Sequence, residues 1–240
     1  MESGRLDKII ADFTVKSRKD AKAFIRRGAV GVNGVVVTNP DMKISKGDKV
    51  TANGKLLSDI GNIYIMMNKP TGVLSATRDN QCKTVLDLLP ENLRRKGLFP
   101  AGRLDKDTEG FVLITDDGEF AHRILAPKNH VPKTYYAELS GHCGLGTLKM
   151  LPAKFAEGLT LDGGDRTSPA ELAIIRDEAP LAVRLVIYEG MYHQVKRMFA
   201  LFALEVTYLR REAIGGLSLD SSLKLGAARV ISEDEIAKLG

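Results

Sequence analysis

The chain has little of what metal and cofactor chemistry is usually built from. Its 240 residues hold only two cysteines, Cys82 and Cys143, which form no C-x-x-C pair and have no paired histidines at ligand spacing. A zinc site or a disulfide framework is therefore not expected, and both are read as free thiols. The four histidines, His122, His130, His142 and His193, stand singly along the sequence, so no metal site is expected. No G-x-G-x-x-G or G-x-x-x-x-G-K-[ST] segment occurs, which leaves no cradle for a dinucleotide or a nucleoside triphosphate, and no cofactor is expected. No run of about 18 apolar residues is present to span a bilayer. Met1-Glu2-Ser3-Gly4 lacks the basic start and apolar stretch of a secretion signal, so the expected location is the cytoplasm.

What remains is an ordinary globular composition, 44% hydrophobic, with an uneven charge. The net charge is +5, and all of the excess lies early: residues 1–59 hold 12 Lys and Arg against 7 Asp and Glu, while the rest of the chain balances. A compact basic module on a neutral body suggests a handle for a polyanion attached to a domain with another task. The division expected is residues 1–58 and 59–240.

Local patterns give the first module two helices followed by short strands. Ser17 followed three residues later by Asp20 is a capping-box pattern that opens a helix, which should run to Arg27 and end at Gly28. Ala21, Phe24 and Ile25 share one face of it, and Arg18, Lys22 and Arg26 recur along another. Asn33-Gly34 between two valine-rich runs reads as a hairpin turn. Asn53-Gly54 through Gly61-Asn62 reads as a linker.

The body begins with a buried strand at Ile63–Met67. It mixes strand-like runs, Phe111–Thr115, Thr134–Leu139, Val183–Tyr188 and Val206–Arg210, with helices expected at Lys83–Leu88, Glu119–Leu125, Lys149–Glu157 and His193–Leu201. The two kinds do not alternate regularly, so an α+β arrangement fits better than a doubly wound parallel sheet.

Within the body, Gly102-Arg103-Leu104-Asp105-Lys106-Asp107-Thr108-Glu109-Gly110 combines a glycine-bounded polar turn with an apolar exit, as an active-site loop feeding a strand would. It is very similar to the nucleophile loop of the pseudouridine synthases that modify ribosomal RNA. Asn68-Lys69-Pro70-Thr71-Gly72 resembles that family's first motif, Lys133-Thr134-Tyr135 its tyrosine motif, and Glu189-Gly190-Met191-Tyr192-His193-Gln194-Val195-Lys196-Arg197-Met198 its C-terminal basic motif, all in the family's order. Residues from about Arg5 to Val50 resemble the small RNA-binding module of ribosomal protein S4.

The resemblance implies an S4-like RNA-binding domain followed by a catalytic domain on a mixed, mostly antiparallel sheet. It implies Asp105 as nucleophile, Tyr135 as the active-site tyrosine whose ring can stack on the flipped base and whose hydroxyl can lie near C5, where a proton must leave, and Lys196 as the cation that keeps the nucleophile ionised. Lys stands where many family members carry Arg, a point charge in place of a bidentate fork. RNA phosphate remains the alternative partner of Lys196, and Arg103 is open between anchoring its loop and bracing the gap left by the extruded nucleotide. Tyr136 is expected to be the core aromatic beside Tyr135. Asp107, and Asp116-Asp117-Gly118 as a turn, are the competing acids.

RNA contacts are expected from Arg5, Arg18, Lys19, Lys22, Arg26, Arg27, Arg103 and Arg197. The wording of the last motif and the short C-terminus are nearer to family members acting on the small subunit. The expected partner is thus 16S rRNA or a small-subunit assembly intermediate, with one uridine modified, the one the family numbers 516, by a monomeric enzyme. A sister synthase acting on 23S rRNA and a non-catalytic rRNA-binding assembly factor are the alternatives. Turning uridine into pseudouridine breaks the N1–C1′ bond and rejoins the base through C5 without redox change. Attack at C1′, attack at C6 and assisted glycal formation all remain open to the carboxylate.

Overall fold

A computed structural model describes residues 4–14, 17–57, 62–141 and 143–240. The expected boundary after residue 58, the last part of the expected linker and His142 lie outside them.

The basic module has its own core. Helices Leu6–Phe13 and Arg18–Arg26 bury Leu6, Ile9, Ile10, Ala21, Phe24 and Ile25 against Val30, Val32, Ile44 and Val50. Ser17 caps the second helix by accepting the Asp20 N–H, and Gly28 (φ +75°) follows its end. Asn33 and Gly34 both take positive φ and join Val30–Val32 to Val35–Val37. Asn53 and Gly54 do the same between Val50–Ala52 and Lys55–Leu57. The segment from Asn53 to Leu57, expected as linker, is therefore a second Asn-Gly hairpin of this four-stranded sheet. Where module and body meet, the Lys96 N–H donates to the Asp12 carbonyl at 2.8 Å, and the Arg95 guanidinium lies over the Phe13 ring.

The body is a nine-stranded mixed sheet with strands in the order Glu171–Arg176, Leu181–Ile187, Lys133–Gly141, Leu204–Ile214, Glu109–Thr115, Tyr64–Lys69 and Ala228–Val230, and two short strands on its flanks. Among the described strands of this sheet, only the Leu204–Ile214 and Glu109–Thr115 pair is parallel. Glu109–Thr115 is apolar from Phe111 to Ile114 because both of its faces are covered. At the parallel pair, Gly110 has φ +102°, and a Cβ there would lie 2.3 Å from the Arg211 carbonyl oxygen. Only glycine permits that approach.

Three expectations are corrected. Lys83–Leu88 is not a helix: the Leu74 and Val85 N–H groups bond the Lys83 and Leu74 carbonyls, and Asp87 captures both the N–H and the hydroxyl of Thr84. Those local bonds compete with the helical ladder. The helix expected at Lys149–Glu157 spans Leu145–Ala156, beginning earlier because Leu148 packs into the main core with Leu151 and Phe155. Tyr136 is not the core aromatic. Along Lys133–Gly141 the buried positions are Lys133, Tyr135, Ala137 and Leu139, so Tyr136 faces outward, bonds Glu138 at 2.9 Å and meets the Tyr208 ring.

Candidate active site

Asp105 sits in the loop between strands Phe99–Ala101 and Glu109–Thr115. Buried polar groups fix that loop. The Ser75 hydroxyl accepts the Leu104 N–H at 3.1 Å, the Gly72 N–H donates to the Lys106 carbonyl at 2.8 Å, and the Thr108 N–H donates to the Asp105 carbonyl at 3.1 Å. Lys69, with no solvent exposure at all, gives its ammonium to the carbonyls of Pro70, Lys106 and Thr108 at 3.1, 3.2 and 2.7 Å. Burial pushes Lys69 down to about 8, against the opposing pull of Asp107, Asp105 and Glu109. Nothing in the sequence signals this tie, since three backbone oxygens from two segments make the site that accepts the lysine.

The opposite wall is the turn into helix Gln194–Ala200. Gln194 is buried, accepts the Met191 N–H at 2.9 Å and donates to Glu189 at 2.8 Å, while Glu189 takes the Ser168 N–H and hydroxyl at 2.8 and 2.6 Å. His193 precedes the helix with φ 48°, which brings it and Lys196, one turn apart, to one side. His193 Nε2 lies 3.7 Å from Asp105 Oδ1, and Lys196 Nζ lies 3.6 Å from Asp105 Oδ2. Lys196 reaches both oxygens of Asp107 at 2.7 Å, and that bond keeps the Asp107 carboxyl below its usual range.

Asp105 borders two recesses. One is lined by Leu104, Tyr135, Ile187, Val195 and Leu209, with Arg103, Thr108, His193 and Lys196 among its polar groups. The other is lined by Thr71, Gly72, Lys106, Asp107, His193 and Lys196. The first offers apolar walls and one aromatic ring to a planar base, with a carboxylate at its edge. It brings together Asp105, Tyr135 and Lys196, 91 positions apart from first to last.

The description of the RNA pseudouridylate synthase family matches residues 63–201, and that of the S4 domain matches residues 4–50. The chain belongs to the RNA pseudouridylate synthase family. It is a pseudouridine synthase, an isomerase. It is 43% identical to an uncharacterized RNA pseudouridine synthase of Bacillus subtilis, YtzG, over 97% of this chain and 96% of that one. It is also 43% identical to the ribosomal small subunit pseudouridine synthase A of Escherichia coli, over 98% and 99% of the two chains. A crystal structure of a pseudouridylate synthase superposes with a TM-score of 0.67 at 39% identity, over 98% of this synthase and 99% of that chain.

Not every cation expected at the RNA is free to meet it. Arg18, Lys19, Arg26 and Arg27 are exposed on the S4 domain's second helix and its end. Lys22 stands 3.7 Å from the buried Asp7. Arg5 is engaged by Asp7 at 3.0 Å and by Asp41. Burial opposes ionisation of Asp7, but the Arg5 bonds prevail and hold its carboxyl below the usual range. Arg5 therefore belongs to the frame of the domain. Arg197 is likewise taken by Asp162 and Asp165, at 2.6 and 3.1 Å, and braces the Gly163-Gly164 turn. Arg103 is exposed at the rim of the first recess and makes no hydrogen bond or ion pair among the described residues.

Proposed function

We propose that this synthase converts one uridine of 16S rRNA to pseudouridine, with Asp105 as the nucleophilic carboxylate. The observation that carries the chemistry is the placement of Asp105 at the edge of an apolar recess shared with Tyr135, with Lys196 and His193 each within 4 Å of its carboxylate. Lys196 places a positive charge 3.6 Å from that carboxylate, where a nucleophile of this kind would act. The extruded uracil enters between Leu104 and Tyr135, where the aromatic ring replaces the stacking the base has lost. Arg103, uncommitted at the rim, is the group that takes the gap or the flanking backbone. Arg18, Lys19 and Arg26 grip phosphate away from the site, fixing register without reading bases.

The 16S assignment is supported by the small-subunit relatives, which match over nearly their whole length. A separate gripping domain suits a folded target, and extrusion costs least where a base is poorly stacked. The protein is to be incubated with purified 16S rRNA, 23S rRNA and small-subunit assembly intermediates, and pseudouridine mapped by carbodiimide adducts. One modified uridine in 16S rRNA or its particles is expected. Modification confined to 23S rRNA would overturn the substrate and leave the chemistry standing.

A further inference from the structure

Behind Tyr135 the sheet buries two cations, neither of them paired with a carboxylate among the described residues. Arg211 is 4% exposed and directly opposes Tyr135 across the Lys133–Gly141 and Leu204–Ile214 pair. Its Nε donates to the Phe111 carbonyl at 2.8 Å, its Nη1 to the Tyr135 hydroxyl oxygen at 3.5 Å, and its buried Nη2 has no hydrogen-bond partner. Among the described residues no carboxylate pairs with it. Lys133, two residues before Tyr135 on the same buried face, has the Tyr188 carbonyl at 3.5 Å as its acceptor. Burial lowers Lys133 to about 8, and the charge of Arg211 adds to the effect. An unpaired buried charge is costly, and an apolar pair would hold a sheet better. Arg211 does not line the recess, so what it does there it does through Tyr135.

We propose that Arg211 is a positioning residue that sets the direction of the Tyr135 hydroxyl proton. A guanidinium only donates, whereas a phenol donates once and accepts. The Tyr135 oxygen must therefore accept from Arg211, and its own proton is turned away from Arg211, toward the recess. The inference rests on the pseudouridine synthase reading of that recess. After the uracil is rejoined through C5, the C5–H bond must break and N1 must gain a proton. With the phenol held this way, its own proton passes to solvent in the recess, the oxygen that Arg211 faces then takes the C5 proton, and N1 takes one from solvent. The proton count is unchanged, and no oxidant or metal is needed.

Single-turnover rates and RNA affinity should be measured for wild type, Arg211→Met, Arg211→Gln and Arg211→Lys. The substrate is an RNA fragment carrying the target uridine with either hydrogen or deuterium at C5. Arg211→Met should bind RNA as wild type does, convert it about 10- to 100-fold more slowly, as loss of part of an acid–base contribution predicts, and show a larger C5 isotope effect. Arg211→Lys, which keeps a donor and the charge, should recover part of the rate. If circular dichroism shows Arg211→Met to be unfolded, Arg211→Gln carries the same expectation. Wild-type rates in the variants, or slow variants whose isotope effect equals that of wild type, would show Arg211 to be a prop for the sheet and overturn the proposal. Failure of the wild-type enzyme on the same RNA would instead count against the proposed substrate.

Discussion

The Lys196 ammonium donates to both carboxylate oxygens of Asp107, each at 2.7 Å, and stands nearly an ångström farther from the proposed nucleophile. Asp107 is exposed and Lys196 half-buried, so the pair is partly screened by water and is worth at most about 1 kcal/mol. Asp107→Asn should therefore change the rate less than about tenfold, in either direction. Release of Lys196 toward Asp105 favours a gain, and loss of its anchor favours a reduction. Single-turnover rates on rRNA check this, and loss of all activity would move the nucleophile's role toward Asp107.

Lys69 ties the Asp105 loop with three N–H groups to three carbonyls, and a neutral amine has only two. Activity should fall as pH rises through about 8, where Lys69 loses its proton. The stability term has the opposite sign. Between about 8 and the usual 10.5 the unfolded chain holds a proton that the folded chain does not, so this lysine makes stability rise with pH there. In Lys69→Met the rate should be low and flat across that range. Lys133, also lowered to about 8, is the control: a limb that survives Lys69→Met and vanishes in Lys133→Met belongs to Lys133.

Gly110→Ala places a methyl 2.3 Å from the Arg211 carbonyl oxygen and 2.8 Å from its N, with φ at +102°. The clash is with backbone and falls at the parallel pairing of Leu204–Ile214 with Glu109–Thr115. A loss on the order of 4 kcal/mol is expected, read as a large drop in the thermal midpoint. A shift of only a degree or two would show that the strands can part without cost.

Deleting residues 1–58 should leave a folded body, because the hydrophobic clusters of the body draw no residue from the S4 domain. Arg95 loses the Phe13 ring but keeps Asp116. The salt dependence of rRNA binding should flatten by about 0.7 to 0.9 in log–log slope for each lost phosphate contact, and Arg18, Lys19 and Arg26 are the exposed candidates. An unchanged slope would show the helix to be only a solvated face.

What was legible in the sequence was what is settled locally or written as ordered motifs. Asn33-Gly34 and Ser17 act on their own backbone neighbours, so their patterns translate directly into a turn and a cap. Asp105, Tyr135 and Lys196, which the structure gathers around one recess, were singled out only through the order of their motifs, since an isolated Asp or Tyr carries no such signal. The second hairpin at Asn53-Gly54 has the same local signature as the first, but was hidden by its place beside a presumed domain boundary. Alternation told that Tyr135 and Tyr136 point oppositely, but not that the core lies on the Tyr135 side alone. The roles of Lys69 and Arg211 depend on strand register between segments far apart in the chain, and the commitment of Arg197 to Asp162 depends on a loop 35 residues away. None of these contacts is written in neighbouring residues.

Asp105→Asn tests the central claim most directly, because it keeps the side-chain volume and removes the nucleophilic carboxylate. Wild-type and variant protein are to be compared on the same 16S rRNA, with RNA affinity and pseudouridine formation followed in parallel. The account predicts unchanged affinity and no pseudouridine above background from the variant. Pseudouridine formed by the variant at near the wild-type rate would contradict it.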